Sequence, residues 1–145
     1  VNVYLAARYS RRKEILGYAE QLKKIGVAIT SRWIEGSHQI SDDQLGLIDK
    51  QLHESEEAAQ LGQRFAIEDV TDIANADLFI GFTEEPRTVS SRGGRHVELG
   101  LALGNGLECW IVGPRENVFH CLPEVRCFSD WPEALQEIAD RRRQP

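Results

Sequence analysis

Short apolar runs, several of them β-branched, alternate along this chain with segments of helical period, and that alternation constrains the fold more than any other feature. Val1-Asn2-Val3-Tyr4-Leu5-Ala6 reads as a buried strand, and Val27-Ala28-Ile29-Thr30 as a second one running on towards Ile34. Asp77-Leu78-Phe79-Ile80-Gly81-Phe82, Cys109-Trp110-Ile111-Val112 and the shorter Arg126-Cys127-Phe128 supply three more. Between the first two, Arg11 to Ile25 carries Ile15, Ala19 and Leu22 at helical spacing, with Ser10 as the cap and Gly26 as the stop. His53 to Ala76 is also helical, with Gly62 as a candidate break. Its expected inner face is Ala66, Val70, Ile73 and Asp77, with Asp69 at the edge of that face and Asp72 pointing further out. A last helix starts at Ser129-Asp130-Trp131-Pro132 and turns Ala134, Leu135 and Ile138 inward. Strands alternating with helices predict an α/β fold: a doubly wound, mostly parallel sheet of about five strands, flavodoxin- or Rossmann-like. The 145 residues are expected to form one domain, 1–145.

The net charge of −6 argues against general binding to a nucleic-acid backbone, so no nucleic-acid polymer is expected as a partner. No apolar run approaches the ~20 residues of a membrane span, and no membrane partner is expected. Cys109, Cys121 and Cys127 form no CxxC pair and no zinc spacing, and no His/Cys cluster in the sequence supports a metal. An odd cysteine count without a visible secretory signal points to a reducing, cytoplasmic setting. The tail Arg141-Arg142-Arg143-Gln144-Pro145 reads as a frayed, solvated end.

Chemistry is concentrated in 90–104, where Ser90-Ser91-Arg92-Gly93-Gly94 leads into a helix that is apolar on nearly all sides. Such a helix belongs inside the fold, and it carries the carboxylate Glu98. A capping box does not explain Glu98, because Arg95 rather than Ser or Thr stands three residues earlier. In a doubly wound sheet the carboxyl ends of the strands share one edge. There the first loop brings Arg8, Tyr9, Ser10, Arg11 and Arg12, the third brings Arg87, Ser90, Ser91 and Arg92, and the fourth brings Arg115, Glu116 and Asn117. A helix N-terminus beside serines suits an anion, and Gly93-Gly94 lets the backbone approach closely. The arginines are either phosphate contacts or ordinary exposed helix-start residues. A phosphate cradle beside a carboxylate suggests catalysis on a phosphorylated sugar, with Glu98 held ionised by the helix dipole and the arginines and able to attack an anomeric carbon. Asp69 is the candidate partner, as an acid or as an orienting group.

The pattern Val3-Tyr4-Leu5-Ala6, then Glu68-Asp69-Val70-Thr71-Asp72-Ile73-Ala74-Asn75-Ala76-Asp77, then Gly94-Arg95-His96-Val97-Glu98-Leu99-Gly100-Leu101-Ala102 resembles the nucleoside 2-deoxyribosyltransferase family. The superfamily includes 2'-deoxynucleoside 5'-phosphate N-hydrolases. The segment around Glu98 is the most specific piece. The resemblance implies that Glu98 is the nucleophile of a covalent glycosyl-enzyme intermediate, that Asp69 contacts the base or assists its departure, and that Tyr4 orients the nucleophile. It places Asn117 where the family has a residue reaching into a neighbouring subunit's site, in a loop that is shorter here. The transferases carry an aspartate six residues before the nucleophile, where this chain has Arg92. Ser90 and Ser91 beside Arg92 look closer to the phosphate-binding serine of the nucleotide hydrolases.

The resemblance thus implies an N-glycosidase acting on a (deoxy)nucleoside 5'-monophosphate, with no metal or organic cofactor, in a homo-oligomer of at least two copies. Two alternatives stand beside it: a deoxyribosyltransferase exchanging bases between free nucleosides, and a nucleotide-binding sensor module without turnover.

Overall fold

The computed structural model describes residues 1–35, 52–86 and 93–144. Five parallel strands form one sheet: β1 (Asn2–Ala6), β2 (Ala28–Ile29), β3 (Leu78–Phe82), β4 (Glu108–Val112) and β5 (Val125–Phe128), in the order β2-β1-β3-β4-β5. Four α-helices accompany them among the described residues: α1 (Arg12–Lys24), α2 (Glu56–Ala74), α3 (Gly94–Gly104) and α4 (Trp131–Arg143). This is the doubly wound α/β architecture that the alternating pattern predicts. No helix among the described residues is long and apolar enough to cross a membrane.

The three central strands are buried along nearly their whole length, as expected for a parallel sheet covered on both faces. Tyr4 and Phe79 are register partners and stack with ring centroids 5.8 Å apart, so they look out from the same face of the sheet. Tyr18 of α1 stacks on Trp131 of α4 at 4.7 Å and on Phe82 at 5.4 Å, and the Trp131 indole donates to Gln21 Oε1. These contacts bring the first and last helices together, while α2 packs beside α3.

Strand β2 is only two residues long, yet the neighbouring backbone of β1 stays satisfied. Where β2 ends, the Leu5 N–H donates to Ser31 Oγ (3.0 Å) and the Leu5 carbonyl accepts from the Trp33 indole (2.8 Å). Side chains thereby continue a ladder that the backbone has left, as burial of these peptide groups requires. Trp33 is consequently a core residue. The expected continuation of β2 towards Ile34 is instead a 3₁₀ turn over Arg32–Glu35.

Several expectations are corrected. Ser10 does not cap α1: it lies inside a 3₁₀ turn, Tyr9–Arg11, and α1 starts after it without a side-chain cap. Helix α2 runs unbroken through Gly62 and is capped by Ser55. Its inner face is rotated from the predicted one: Asp72 and Ile73 are buried while Val70 is 46% exposed. The physical reason is that Asp72 has a partner, Arg32, whose Nε and backbone N–H both donate to it (2.8 and 3.0 Å), so an acidic residue is admitted where periodicity alone demands an apolar one. Helix α3 buries only Leu99 and Ala102 fully and leaves Val97 64% exposed, so it is embedded on one side rather than all round. The arginine tail is not frayed through Arg143: α4 continues to there, and Arg141 pairs with both Glu137 and Glu108.

At the carboxyl end of β4, Gly113 takes φ +115° and donates to Phe128 O, and a Cβ at this position would overlap Thr83 Oγ1. Thr83 is itself buried and bonded to Val112 O. Gly113→Ala is therefore expected to destabilise the protein by about 2 kcal/mol, from backbone strain and steric overlap together. Urea unfolding of the variant and the parent checks this through the shift in midpoint.

Candidate active site

Tyr4, Glu98 and Asp69 meet at the carboxyl half of the sheet. Tyr4 is fully buried in the middle of β1, and its hydroxyl donates to Glu98 Oε1 at 3.0 Å. Glu98 is the fifth residue of α3, just past the first turn, where the helix dipole has largely faded. Asp69 lies in the fourth turn of α2, three residues before Asp72, and acts electrostatically on both other groups. One strand and two helices thus each contribute one member.

The electrostatics differ from the expectation that arginines and the dipole hold Glu98 ionised. Burial first, and the Asp69 charge second, push the Glu98 carboxyl up to about 8, against the opposing pull of the Tyr4 hydrogen bond. No arginine among the described residues contributes to that balance. Burial, then the charges of Glu98 and Asp69, also push the Tyr4 phenol well above its ordinary range. At neutral pH the Glu98 carboxyl therefore keeps its proton, with the Asp69 charge acting on it.

Of the first-loop residues, Arg8 is half-buried, and Tyr9 and Ser10 are exposed. The Arg8 carbonyl closes the turn by accepting from Arg11 N. Arg11 is engaged elsewhere: Nε and Nη2 grip Glu14 (2.8 and 3.0 Å), and Nη1 donates to Thr83 O and Glu84 Oε1. Arg12 Nε is buried without a hydrogen-bond partner among the described residues. Gly93 takes φ +86° immediately before α3, and neither Gly93 nor Gly94 would bring a Cβ within 4 Å of other atoms among the described residues. Ser90, Ser91 and Arg92 lie outside the described residues, as does Arg87.

Asn117 is committed within its own chain. Its Oδ1 accepts from Phe119 N (2.9 Å), capping the short turn Val118–Cys121, and its Nδ2 lies 3.3 Å from His96 Nδ1. The cap settles the amide orientation, so His96 Nδ1 is the acceptor and its Nε2 carries the proton, facing Glu116 Oε2 at 3.9 Å. His120 Nδ1 likewise accepts from Glu116 N at 3.1 Å. Burial lowers both imidazoles below their ordinary values, which keeps them neutral at pH 7.

His96, Glu116 and His120 do place three potential ligand atoms within 4.8 Å of one another. Their hydrogen bonds do not suit a cation, because each Nδ1 already accepts an N–H and both Glu116 oxygens face Arg95. Asp72 and Arg32 were not singled out as site residues from sequence; Glu116 was placed only in the fourth loop of the edge, and Arg95 only with the arginines that are either phosphate contacts or exposed helix-start residues. A single charge at such positions carries no signal by itself, and each needs its partner in space to acquire meaning.

No protein-family model matches the chain, and no curated protein matches it significantly. Two solved structures share its fold. The CMP N-glycosidase BcmB of Clostridium botulinum is 21% identical with a TM-score of 0.55, the match covering 95% of this chain and 98% of the other. A 2-deoxyribosyltransferase from the psychrotolerant bacterium Bacillus psychrosaccharolyticus is 18% identical with a TM-score of 0.61, covering 93% and 90%. The family resemblance read from sequence thus meets the same fold over nearly the full length of both chains.

A direct titration checks the site. Carboxyl carbon NMR is expected to show Glu98 changing ionisation near pH 8. Asp69→Asn removes a repelling charge and should lower that midpoint, whereas Tyr4→Phe removes a hydrogen bond to the charged form and should raise it. Stability follows the same sign. The folded carboxyl keeps its proton up to about 8 and the unfolded one only to about 4.5, so stability falls as pH rises through that window. Glu98→Gln should accordingly raise the melting temperature more at pH 9 than at pH 5, measured against the parent protein by calorimetry.

Proposed function

We propose that this protein is an N-glycosidase that cleaves the base–sugar bond of a nucleoside 5'-monophosphate through a covalent intermediate on Glu98. The observation that carries the reading is the buried Tyr4–Glu98 hydrogen bond, with the charge of Asp69 acting on a Glu98 carboxyl that keeps its proton at neutral pH. Glycoside cleavage with a covalent intermediate asks for one anionic carboxylate and one protonated group. Transfer of the Glu98 proton to Asp69 on substrate binding would supply both, an anionic Glu98 and a protonated Asp69.

In the first step a Glu98 oxygen bonds to C1' as the C1'–N bond breaks, and the departing base keeps the bonding electron pair. Asp69, directly or through a water, gives the base its proton. Tyr4, donating to Glu98, steadies the nucleophile and keeps it from rotating out of line. In the second step water attacks C1', its proton returns to Asp69, and the bond to Glu98 opens. The chain's own residues account for the whole cycle.

Arg8, Tyr9, Ser10 and the glycine-fronted end of α3 at Gly94 are assigned to the 5'-phosphate, together with Ser90, Ser91 and Arg92 of the third loop. The buried Nε of Arg12 beside this loop, with no hydrogen-bond partner among the described residues, supports an anion in the neighbourhood. Arg11 braces the loop rather than offering a free guanidinium. The shared fold with a CMP N-glycosidase supports a nucleotide substrate, and that with a 2-deoxyribosyltransferase supports chemistry at C1'. A homo-oligomer is part of the same reading through the family resemblance.

A screen for base release over ribo- and deoxyribonucleoside monophosphates and the matching free nucleosides tests this. Release from monophosphates is expected, with Glu98→Gln slower by about a thousandfold or more. The rate should fall above about pH 8, where Glu98 loses its proton. Base exchange confined to free nucleosides would make the protein a transferase. Nucleotide binding without any release, unchanged in Glu98→Ala, would make it a sensor.

A further inference from the structure

One chain of charges runs through the loops at the carboxyl edge of the sheet. Arg11, after β1, donates through Nη1 to Thr83 O (3.1 Å) and Glu84 Oε1 (3.4 Å), after β3. The Glu84 backbone acts electrostatically on the carboxylate of Glu116, after β4. Glu116 receives both terminal nitrogens of Arg95, with Nη2 to Oε1 at 2.7 Å. Arg95 is the second residue of α3, three residues before Glu98. The side chains of this last pair are only 8% and 10% exposed. From the other side, the Glu116 N–H donates to the buried His120.

A buried ion pair is seldom a large net source of stability, because both charges give up water to form it. Its two-pronged geometry does fix orientation, since a fork meeting a carboxylate admits little rotation. Here it grips the end of the helix that carries Glu98. Burial pushes the Glu116 carboxyl up, but the Arg95 bonds and charge and the Glu84 backbone outweigh it and hold it below its usual value, so the brace stays charged at neutral pH.

We propose that Arg95 and Glu116 are positioning residues that set the rotation and depth of α3 so that Glu98 meets Tyr4 and Asp69. The proposal rests on Glu98 being the nucleophile. The groups facing Glu98 are Tyr4 from β1 and Asp69 from α2, with Asp72 of α2 acting on Tyr4 behind it. Neither Arg95 nor Glu116 is among the charges acting on Glu98. Breaking the brace therefore reaches Glu98 through geometry: the helix end shifts, water enters, and the carboxyl becomes easier to ionise.

The test uses the 145-residue chain with Glu116→Gln, Glu116→Ala and Arg95→Lys. Two measurements are made on each folded variant: kcat and KM for a monophosphate that the parent hydrolyses, and the carboxyl NMR titration of Glu98. In Glu116→Ala, kcat is expected to fall by about tenfold to a hundredfold with KM within about threefold, since a nucleophile misplaced by an ångström loses rate rather than substrate. The Glu98 midpoint should move down by about one pH unit or more as burial, its largest cause, is relieved. Arg95→Lys keeps the charge but loses the fork and should fall between parent and Glu116→Ala. If Glu116→Ala does not fold, the two milder variants carry the test. A folded set with the parent's Glu98 titration overturns the proposal, whether or not kcat falls. Should the parent release no base from any nucleotide, the glycosidase reading fails, while the titration still decides whether the brace positions Glu98.

Discussion

Keeping the Glu98 carboxyl out of water, against Tyr4 and close to the charge of Asp69, is the constraint around which this structure is arranged. An isolated buried carboxylate is costly, and a second one nearby adds repulsion. The pair persists because one proton is retained and because the Tyr4 hydroxyl offers the charged form a bond at 3.0 Å. Tyr4 can do so only because β1 is central in the sheet, flanked by β2 and β3, and because Phe79 stacks against its ring. Core packing and site geometry are therefore the same contacts here.

The edge of the sheet holds the site together by a different means. Ladder hydrogen bonds stop where the strands stop, and side chains take over the task. Ser31 and Trp33 close the backbone of Leu5, Asp72 ties Arg32 to α2, and Arg11, Glu84, Glu116 and Arg95 link successive loops. Most of these partners are polar or charged and partly shielded from solvent. Such pairs add less to net stability than apolar burial does, but they confer defined orientation. A site assembled from three separate elements depends on orientation of this kind.

The fold was largely legible beforehand, because it depends on short-range regularities. The strand runs, the helical spacing of Ile15, Ala19 and Leu22, and the stop at Gly26 all act through neighbours in sequence, and all three are found in place. The inner face of α2 was misread because Asp72 is buried with Arg32, 40 residues away, and no local pattern announces such a partner. The same limit applies to α3, whose apolar composition does not reveal that Val97 faces outward. Glu98 stood out in sequence because a carboxylate on an apolar helix lacked a capping role. Its protonation state did not, since that follows from how deeply it is buried and from Asp69 on another helix.

By itself, then, the sequence determined the α/β alternation, the parallel sheet and the identity of the unusual acid, because periodicity and turn chemistry act over a few residues. The tertiary structure alone decided that Tyr4 donates to Glu98 and that burial, with Asp69 second, rather than any described arginine governs its charge. It alone also decided that Arg95 is held by Glu116 instead of facing an open anion site. Hydrogen bonds and Coulomb interactions depend on separations of a few ångströms, and residues 21 to 94 positions apart acquire such separations only once the chain has folded.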